Sequence, residues 1–232
     1  MLGKLNNYFT AFEKILWICS VMLIICSAFI FGKDTVLSVI ASLVGATSLL
    51  LSAKGHPAGQ ALAVVFSILY AIISFSFCYY GEMITYLGMT GPMALAAFIS
   101  WIRNPHENNK AEVKVNHISR KEVALLPLLT VVVTAVFFFI MRYFGTANLL
   151  PSTLSITTSF VAVYLTFRRD PFYAVAYALN DLVLIVLWSL AALTDKSYIS
   201  VVVCFVVFLA NDIYGFINWR KMKKSCSESI IR

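Results

Sequence analysis

Eight runs of apolar residues alternate with polar connectors along the chain, at about 12–31, 35–52, 59–80, 84–102, 122–144, 149–167, 172–193 and 198–219. Most approach the ~20 residues that cross the hydrocarbon of a bilayer. Lipid offers no water to backbone N–H and C=O groups, so each run is expected to fold as a helix that satisfies them internally. The pattern thus predicts an all-α polytopic membrane protein with eight transmembrane helices. The first run, from about residue 13, is too long for a signal h-region and lacks a small-x-small exit, so it reads as a retained span. One connector is long, RNPHENNKAEVKVNHISRKE (103–122). Its polar, mixed-charge makeup predicts a solvated linker.

The two sides of that linker resemble each other. FISWIR (98–103) matches FINWRK (216–221), 118 positions apart, and LSAKGHP (51–57) matches LTFRRDP (165–171), 114 positions apart. Matches in the same order suggest a duplicated three-helix unit. Three is odd, so a second copy in the same orientation needs one extra crossing between the copies. The organisation expected is an N-terminal helix (1–34), a first three-helix repeat (35–103), the linker with a connecting helix (104–148), a second repeat (149–220) and a basic tail (221–232). Parallel repeats of this kind are a transporter architecture, with the ligand site near the midplane.

Of the 232 residues, 60% are hydrophobic and 12% charged, which leaves little chain for a soluble domain. The net charge of +7 could point to nucleic acid. Its placement points to topology instead, because the basic residues sit between apolar runs with no aromatic interleaving. Lys4, Lys14, Lys54, Arg103, Lys110, Lys114, Arg120, Lys121, Arg168, Arg169, Arg220, Lys221, Lys223, Lys224 and Arg232 fall on one side, and Lys33, Arg142 and Lys196 on the other. The positive-inside rule then predicts cytoplasmic termini in a cell (inner) membrane. Cys19, Cys26, Cys78, Cys204 and Cys226 show no metal-ligand spacing, and His56, His106 and His117 lie in connectors, so neither a metal nor another cofactor is expected. No nucleophile–base pair or HExxH motif points to an enzyme.

Polar residues inside the apolar runs carry the candidate chemistry. Asp181 lies roughly 15 Å along its helix from the basic turn at Arg169–Pro171, and Asp212 roughly 10 Å from Trp219, at 1.5 Å rise per residue. A carboxylate at such depth costs at least ~2.5–3.5 kcal/mol. The same dipeptide occurs in ALNDLVLIVLW (178–188) and LANDIYGFINW (209–219). Tyr173, Tyr177, Asn180, Asp181, Leu184 and Trp188 recur at helical spacing on one face. On the last span, Asn211, Tyr214 and Asn218 form one face, and Asp212, Gly215 and Trp219 its neighbour. Such faces suit a small amphipathic ligand: aromatics stack on a flat ring, amides bond its edge and a carboxylate offsets a positive charge. The other reading of each Asn–Asp pair is interhelical glue. Trp101 and Trp219 precede basic residues, where an interfacial belt is expected, and Tyr80, Tyr86 and Trp17 read likewise. Glu13 and Lys14 near a helix end are expected to snorkel. Gly91–Pro92 is a candidate kink. The hydroxyls Ser152, Thr153, Ser155, Thr157 and Thr158 suit close helix packing first and pocket lining second.

NDIYGFINWRKMKK, the matching FISWIRNP and the EVKVNHISRKE linker resemble the PnuC family of vitamin transporters, over roughly residues 35–224. The resemblance implies a three-one-three helical core akin to the sugar-carrying SWEET proteins, facilitated diffusion of nicotinamide riboside with trapping by a cytoplasmic kinase, and homotrimers. It departs from the family in places. A Trp-x-x-Trp-x-x-x-Asn pattern reads here as Tyr173, Ala176 and Asn180. Phe66, Leu87 and Ala94 stand where Asn or Gln would be expected. Relatives also carry thiamine, riboflavin or nucleosides. Thiamine, deoxynucleosides and proton coupling through Asp181 or Asp212 therefore stay open beside nicotinamide riboside. A neutral flavin gives a buried carboxylate no obvious role.

Overall fold

The computed structural model describes residues 8–31, 36–76, 80–106, 109–146 and 148–230, with 225–230 by backbone alone. Lys4, Lys33, Cys78, Arg232 and the side chain of Cys226 lie outside the described residues. The helices are α1 (Ala11–Phe31), α2 (Val36–Ala53), α3 (Pro57–Ser76), α4 (Tyr80–Thr85), α5 (Gly91–Arg103), α6 (Arg120–Tyr143), α7 (Leu149–Arg168), α8 (Tyr173–Ala192) and α9 (Ile199–Ile230). A π-helical turn, Tyr86–Thr90, joins α4 to α5 in a single span. Counted that way, the described residues hold eight helices long and apolar enough to cross a membrane, and no strand.

Local signals explain several boundaries. Thr10 and Glu13 form a capping box on α1, and Ser119 and Glu122 another on α6. The break in the fourth span falls one turn before Gly91–Pro92. There the Gly91 N–H donates to the Tyr86 carbonyl, five residues back. Such a bulge lets a helix absorb a proline that has no N–H to offer. The last helix does not stop at the edge of the apolar run, since α9 continues through the basic tail to Ile230.

The helices pack in a closed order. α2 packs on α3, α3 on α5, α5 on α7, α7 on α8, α8 on α9, and α9 returns to α2. α6 lies outside this ring against α7, and α1 lies across the seam between α2 and α9. Matched segments of the two halves make equivalent bonds across the ring. The Trp101 indole donates to the Thr166 carbonyl at 2.9 Å, and the Trp219 indole to the Ser52 carbonyl at 2.9 Å. The Ser100 hydroxyl donates to the Phe167 carbonyl, and the Asn218 amide to the Ala53 carbonyl. Gly55 and Arg169 close α2 and α7 with left-handed φ of 69° and 62°. The two indoles meet at 5.4 Å between ring centroids, and neither is exposed. The expectation of a membrane-interface belt is therefore wrong for Trp101 and Trp219: each places its ring in the core and adds its N–H to a helix-end carbonyl of the other half. Tyr86 is buried as well.

The long connector is not merely solvated. Val113 is fully buried, its N–H donates to the Gly55 carbonyl, and the Asn116 N–H donates to the Arg169 carbonyl. The connector thus clasps both left-handed caps at the basic end of the ring. Asp170 holds the second attachment, accepting from the N–H groups of Phe172 and Ile118, with His117 Nδ1 at 3.0 Å. Burial also pushes the Glu112 carboxyl up, against the opposing pull of Lys54 and His106. Asp170→Ala leaves two N–H donors without their carboxylate. Bonds to a charged acceptor contribute about 1.5–3 kcal/mol each, so a loss of about 2–3 kcal/mol is expected. The checks are a lower melting temperature in detergent and faster tryptic cleavage between Arg103 and Lys121.

Candidate functional site

The two aspartates singled out in the sequence meet. Asp181 of α8 and Asp212 of α9 are both buried, and their carboxyl groups lie within hydrogen-bonding reach of one another. Ionised carboxylates only accept, so such a bond requires a proton between them. The second oxygen of Asp181, Oδ2, is buried without a hydrogen-bond partner. Phenols surround the pair. Tyr177 lies in electrostatic range of both aspartates, with its hydroxyl in reach of Thr166. Tyr173 is in range of Asp212, donates to the Ser52 carbonyl at 3.2 Å and packs edge-on against Trp219. From the other half, Tyr86 of the π-turn is in range of Asp181 and Tyr177. The site therefore draws on both halves of the ring. Among the described residues no Lys or Arg is buried, and none lies among the groups that act on this pair.

Other candidates take different places. Asn180 Oδ1 accepts from the hydroxyls of Ser155, Thr158 and Ser159 at 3.3, 2.9 and 2.9 Å, tying α8 to α7. The hydroxyl-rich face of α7 thus packs a helix, as its small residues suggested. Asn211, Tyr214 and Asn218 share a face, but that face meets α1 and α2 instead of the aspartates. The Asn211 amide donates to the Ser20 hydroxyl and to the Val207 carbonyl. The Tyr214 hydroxyl donates to Glu13. Glu13 does not snorkel: it is 1% exposed and paired with Lys54 at 3.2 Å. Asn218 closes α2 through Ala53. The neighbouring face, with Asp212 and Gly215, turns to α8. A Cβ at Gly215 would stand 3.5 Å from the Tyr173 hydroxyl and 3.7 Å from Ala174.

Trp188 lines a separate cavity of about 200 Å³ at the end opposite the basic connectors. Its indole lies against the Tyr70 hydroxyl, and its ring stacks near Tyr198. Two residues escaped the sequence reading. Glu82, in the first turn of α4, is 5% exposed and in electrostatic range of Tyr70 and Tyr86. Tyr86 itself links Glu82 to Asp181. The signal for Glu82 was an isolated carboxylate within an apolar stretch. For Tyr86 there was none, because a tyrosine near a span end reads as a belt residue.

With this geometry in hand, the likeness to known proteins is informative. Residues 35–221 match the family model described as nicotinamide mononucleotide transporter. The chain belongs to this family. It is 26% identical over 225 residues to the nicotinamide riboside transporter PnuC of Neisseria mucosa, covering 95% of this chain and 85% of that protein. It also superposes on the crystal structure of the vitamin B3 transporter PnuC with a TM-score of 0.79 at 25% identity, covering 94% of each chain. Membership makes the chain a multi-pass membrane transporter of the PnuC type and not an enzyme. The all-α, eight-span architecture expected from the sequence agrees with that solved fold.

Proposed function

We propose that this transporter carries a vitamin-like ribonucleoside, nicotinamide riboside in the first place, by facilitated diffusion with alternating access at the Asp181–Asp212 pair. The observation that carries the reading is a buried pair of carboxyls, ringed by Tyr86, Tyr173 and Tyr177, with no basic side chain facing it. A pyridinium ring is flat and positively charged. Phenols stack on its face and a carboxylate offsets its charge. The same electrostatics disfavour the mononucleotide, whose phosphate would enter next to two carboxyls with no cation to receive it. Asn180 ties α8 to α7 beside the site, while Asn211, Tyr214 and Asn218 hold the α9 side of it to α1 and α2.

The positive-inside rule supports a cell (inner) membrane location with the basic end and both termini on the cytoplasmic side. The homotrimer rests on the family resemblance alone. Thiamine, another aromatic cation, and deoxynucleosides are the competing substrates. Labelled nicotinamide riboside should enter proteoliposomes by a saturable route. Unlabelled nicotinamide riboside should block it, and thiamine, deoxynucleosides and nicotinamide mononucleotide should not. Equal block by thiamine would reassign the substrate. The second reading is a coupled carrier, since two carboxyls within reach of one another inside the membrane offer a site for an exchangeable proton. An ionophore that collapses the pH gradient separates the two readings, since downhill flux persists and coupled accumulation does not.

A further inference from the structure

The cavity at the end opposite the basic connectors does not contain the carboxyl pair. Neither Asp181 nor Asp212 lines it. Its walls come from α1, α2, α3, α8 and α9, and its lining carries hydroxyls from Ser38, Ser42, Ser74, Ser197 and Ser200 and the carboxylate of Asp195. Its inner wall is aromatic. Phe66 lines it and packs against Tyr70 at 5.5 Å, Phe208 at 5.8 Å and Tyr86 at 5.9 Å. Tyr86 in turn is in electrostatic range of Asp181. Ring contacts therefore run from the cavity through Phe66 to Tyr86, which lies within electrostatic range of the carboxyl pair.

Resting on the reading of the chain as a riboside carrier, we propose that this cavity is an outer docking subsite for the substrate's ring and that Phe66 sets its size, admitting monocyclic ribosides and rejecting bicyclic ones. At about 200 Å³ the cavity is smaller than the ~300–1,000 Å³ of pockets that enclose a whole drug-sized ligand. That volume suits a single ring, with the sugar bonded to the lining hydroxyls. Phe66 cannot retreat to enlarge it. Gly45 of α2 lies directly behind, and a Cβ there would stand 3.1 Å from the Phe66 ring and 2.5 Å from that of Phe208. The rings pack so close to Gly45 that not even a methyl group fits between, so a larger ligand meets a wall with little room to give.

The chain supplies a probe in Cys204, which lines the cavity, whereas Cys19 and Cys26 are exposed elsewhere. The experiment replaces Cys19, Cys26, Cys78 and Cys226 by Ser and follows modification of Cys204 by a small methanethiosulfonate. Protection is compared for nicotinamide riboside and 1-methyladenosine, a purine riboside that is also cationic at neutral pH, and for the neutral pair cytidine and adenosine. The single-ring member of each pair should slow modification at least about tenfold more than its bicyclic partner, the scale on which a fixed pocket rejects a larger group. Phe66→Ala, with Phe66→Leu as the milder change, should erase that ratio by letting the purines protect. Equal protection by both ring sizes overturns the proposal. So does an absence of protection by any riboside, or a ratio that neither Phe66 variant changes. Uptake in the same proteoliposomes judges the functional reading separately. Flux of nicotinamide riboside without protection of Cys204 removes the subsite and keeps the carrier. Size-selective protection by cytidine without nicotinamide riboside flux keeps the subsite and removes that substrate.

Discussion

Asp181→Asn should lower uptake of nicotinamide riboside by more than about 100-fold while leaving the folded protein as stable as before, or more so. The two halves of this expectation come from the same geometry. Removing one partner of a buried charge pair typically costs about 3–5 kcal/mol, and a cation that docks on the aspartates loses that partner in the variant. Before the ligand arrives, the balance runs the other way. Asp181 and Asp212 are like groups in contact, and Asp181 Oδ2 is buried with nothing to bond. An amide at this position donates to Asp212 without needing a shared proton. If the aspartates were interhelical glue, the signs would reverse, with uptake retained and stability lost. Initial uptake rates in proteoliposomes and melting temperatures in detergent, measured on one preparation, decide between them. Asp212→Asn should behave in the same way, because neither carboxyl has a basic partner to fall back on.

How much of this was legible in the sequence varies with the range of the cause. The eight spans were legible because lipid leaves a segment of some twenty apolar residues no option but a helix. The split of α9 into two faces was legible too, as helical arithmetic puts Asn211, Tyr214 and Asn218 together and Asp212 beside Gly215. What meets each face was not. The first face looked like a ligand lining until α1 proved to cover it, with Ser20 and Glu13 as partners. Glu13 looked like a residue free to reach water, yet Lys54 and Tyr214 hold it inside. Each polar residue in oil announced that it needed a partner. Whether the partner is another helix or a ligand depends on contacts between segments distant in sequence. The same limit applies to Asp181 and Asp212. Their depth could be counted along each helix, but their meeting depends on the register of α8 against α9. The long connector misled for a compositional reason, since its polar residues outnumber the few atoms, such as those of Val113, by which it grips the ring.

Trp219→Ala should destabilise the protein by about 3–5 kcal/mol, the cost of emptying a buried Trp site, and Trp101→Ala by a similar or smaller amount. These residues look equivalent, with both indoles fully buried, each donating to a helix-end carbonyl at 2.9 Å and the two rings meeting tilted at 5.4 Å. Trp219 has one further neighbour, Tyr173 at 4.9 Å, so its removal should cost more. Because the two rings touch, the losses should not add. The double variant should fall short of the sum by about 0.5–1.5 kcal/mol, the coupling of an aromatic pair, and denaturation midpoints of the four proteins measure it. Strict additivity would mean that each ring only fills its own half of the core. The pair also closes the ring of helices at the basic end, between the carboxyl site and the connector that clasps Gly55 and Arg169. For a carrier with alternating access, a path toward that end has to part these two rings. Trp219→Phe keeps one aromatic ring but loses the N–H and part of the indole's volume, while the Ser52 carbonyl still accepts from Gly55 and Tyr173. It should therefore lose far less stability than Trp219→Ala, and its closed end should open more readily. A faster counterflow rate for Trp219→Phe, with a smaller fall in melting temperature than for Trp219→Ala, would assign the pair to the gate. An unchanged rate would leave it as core packing alone.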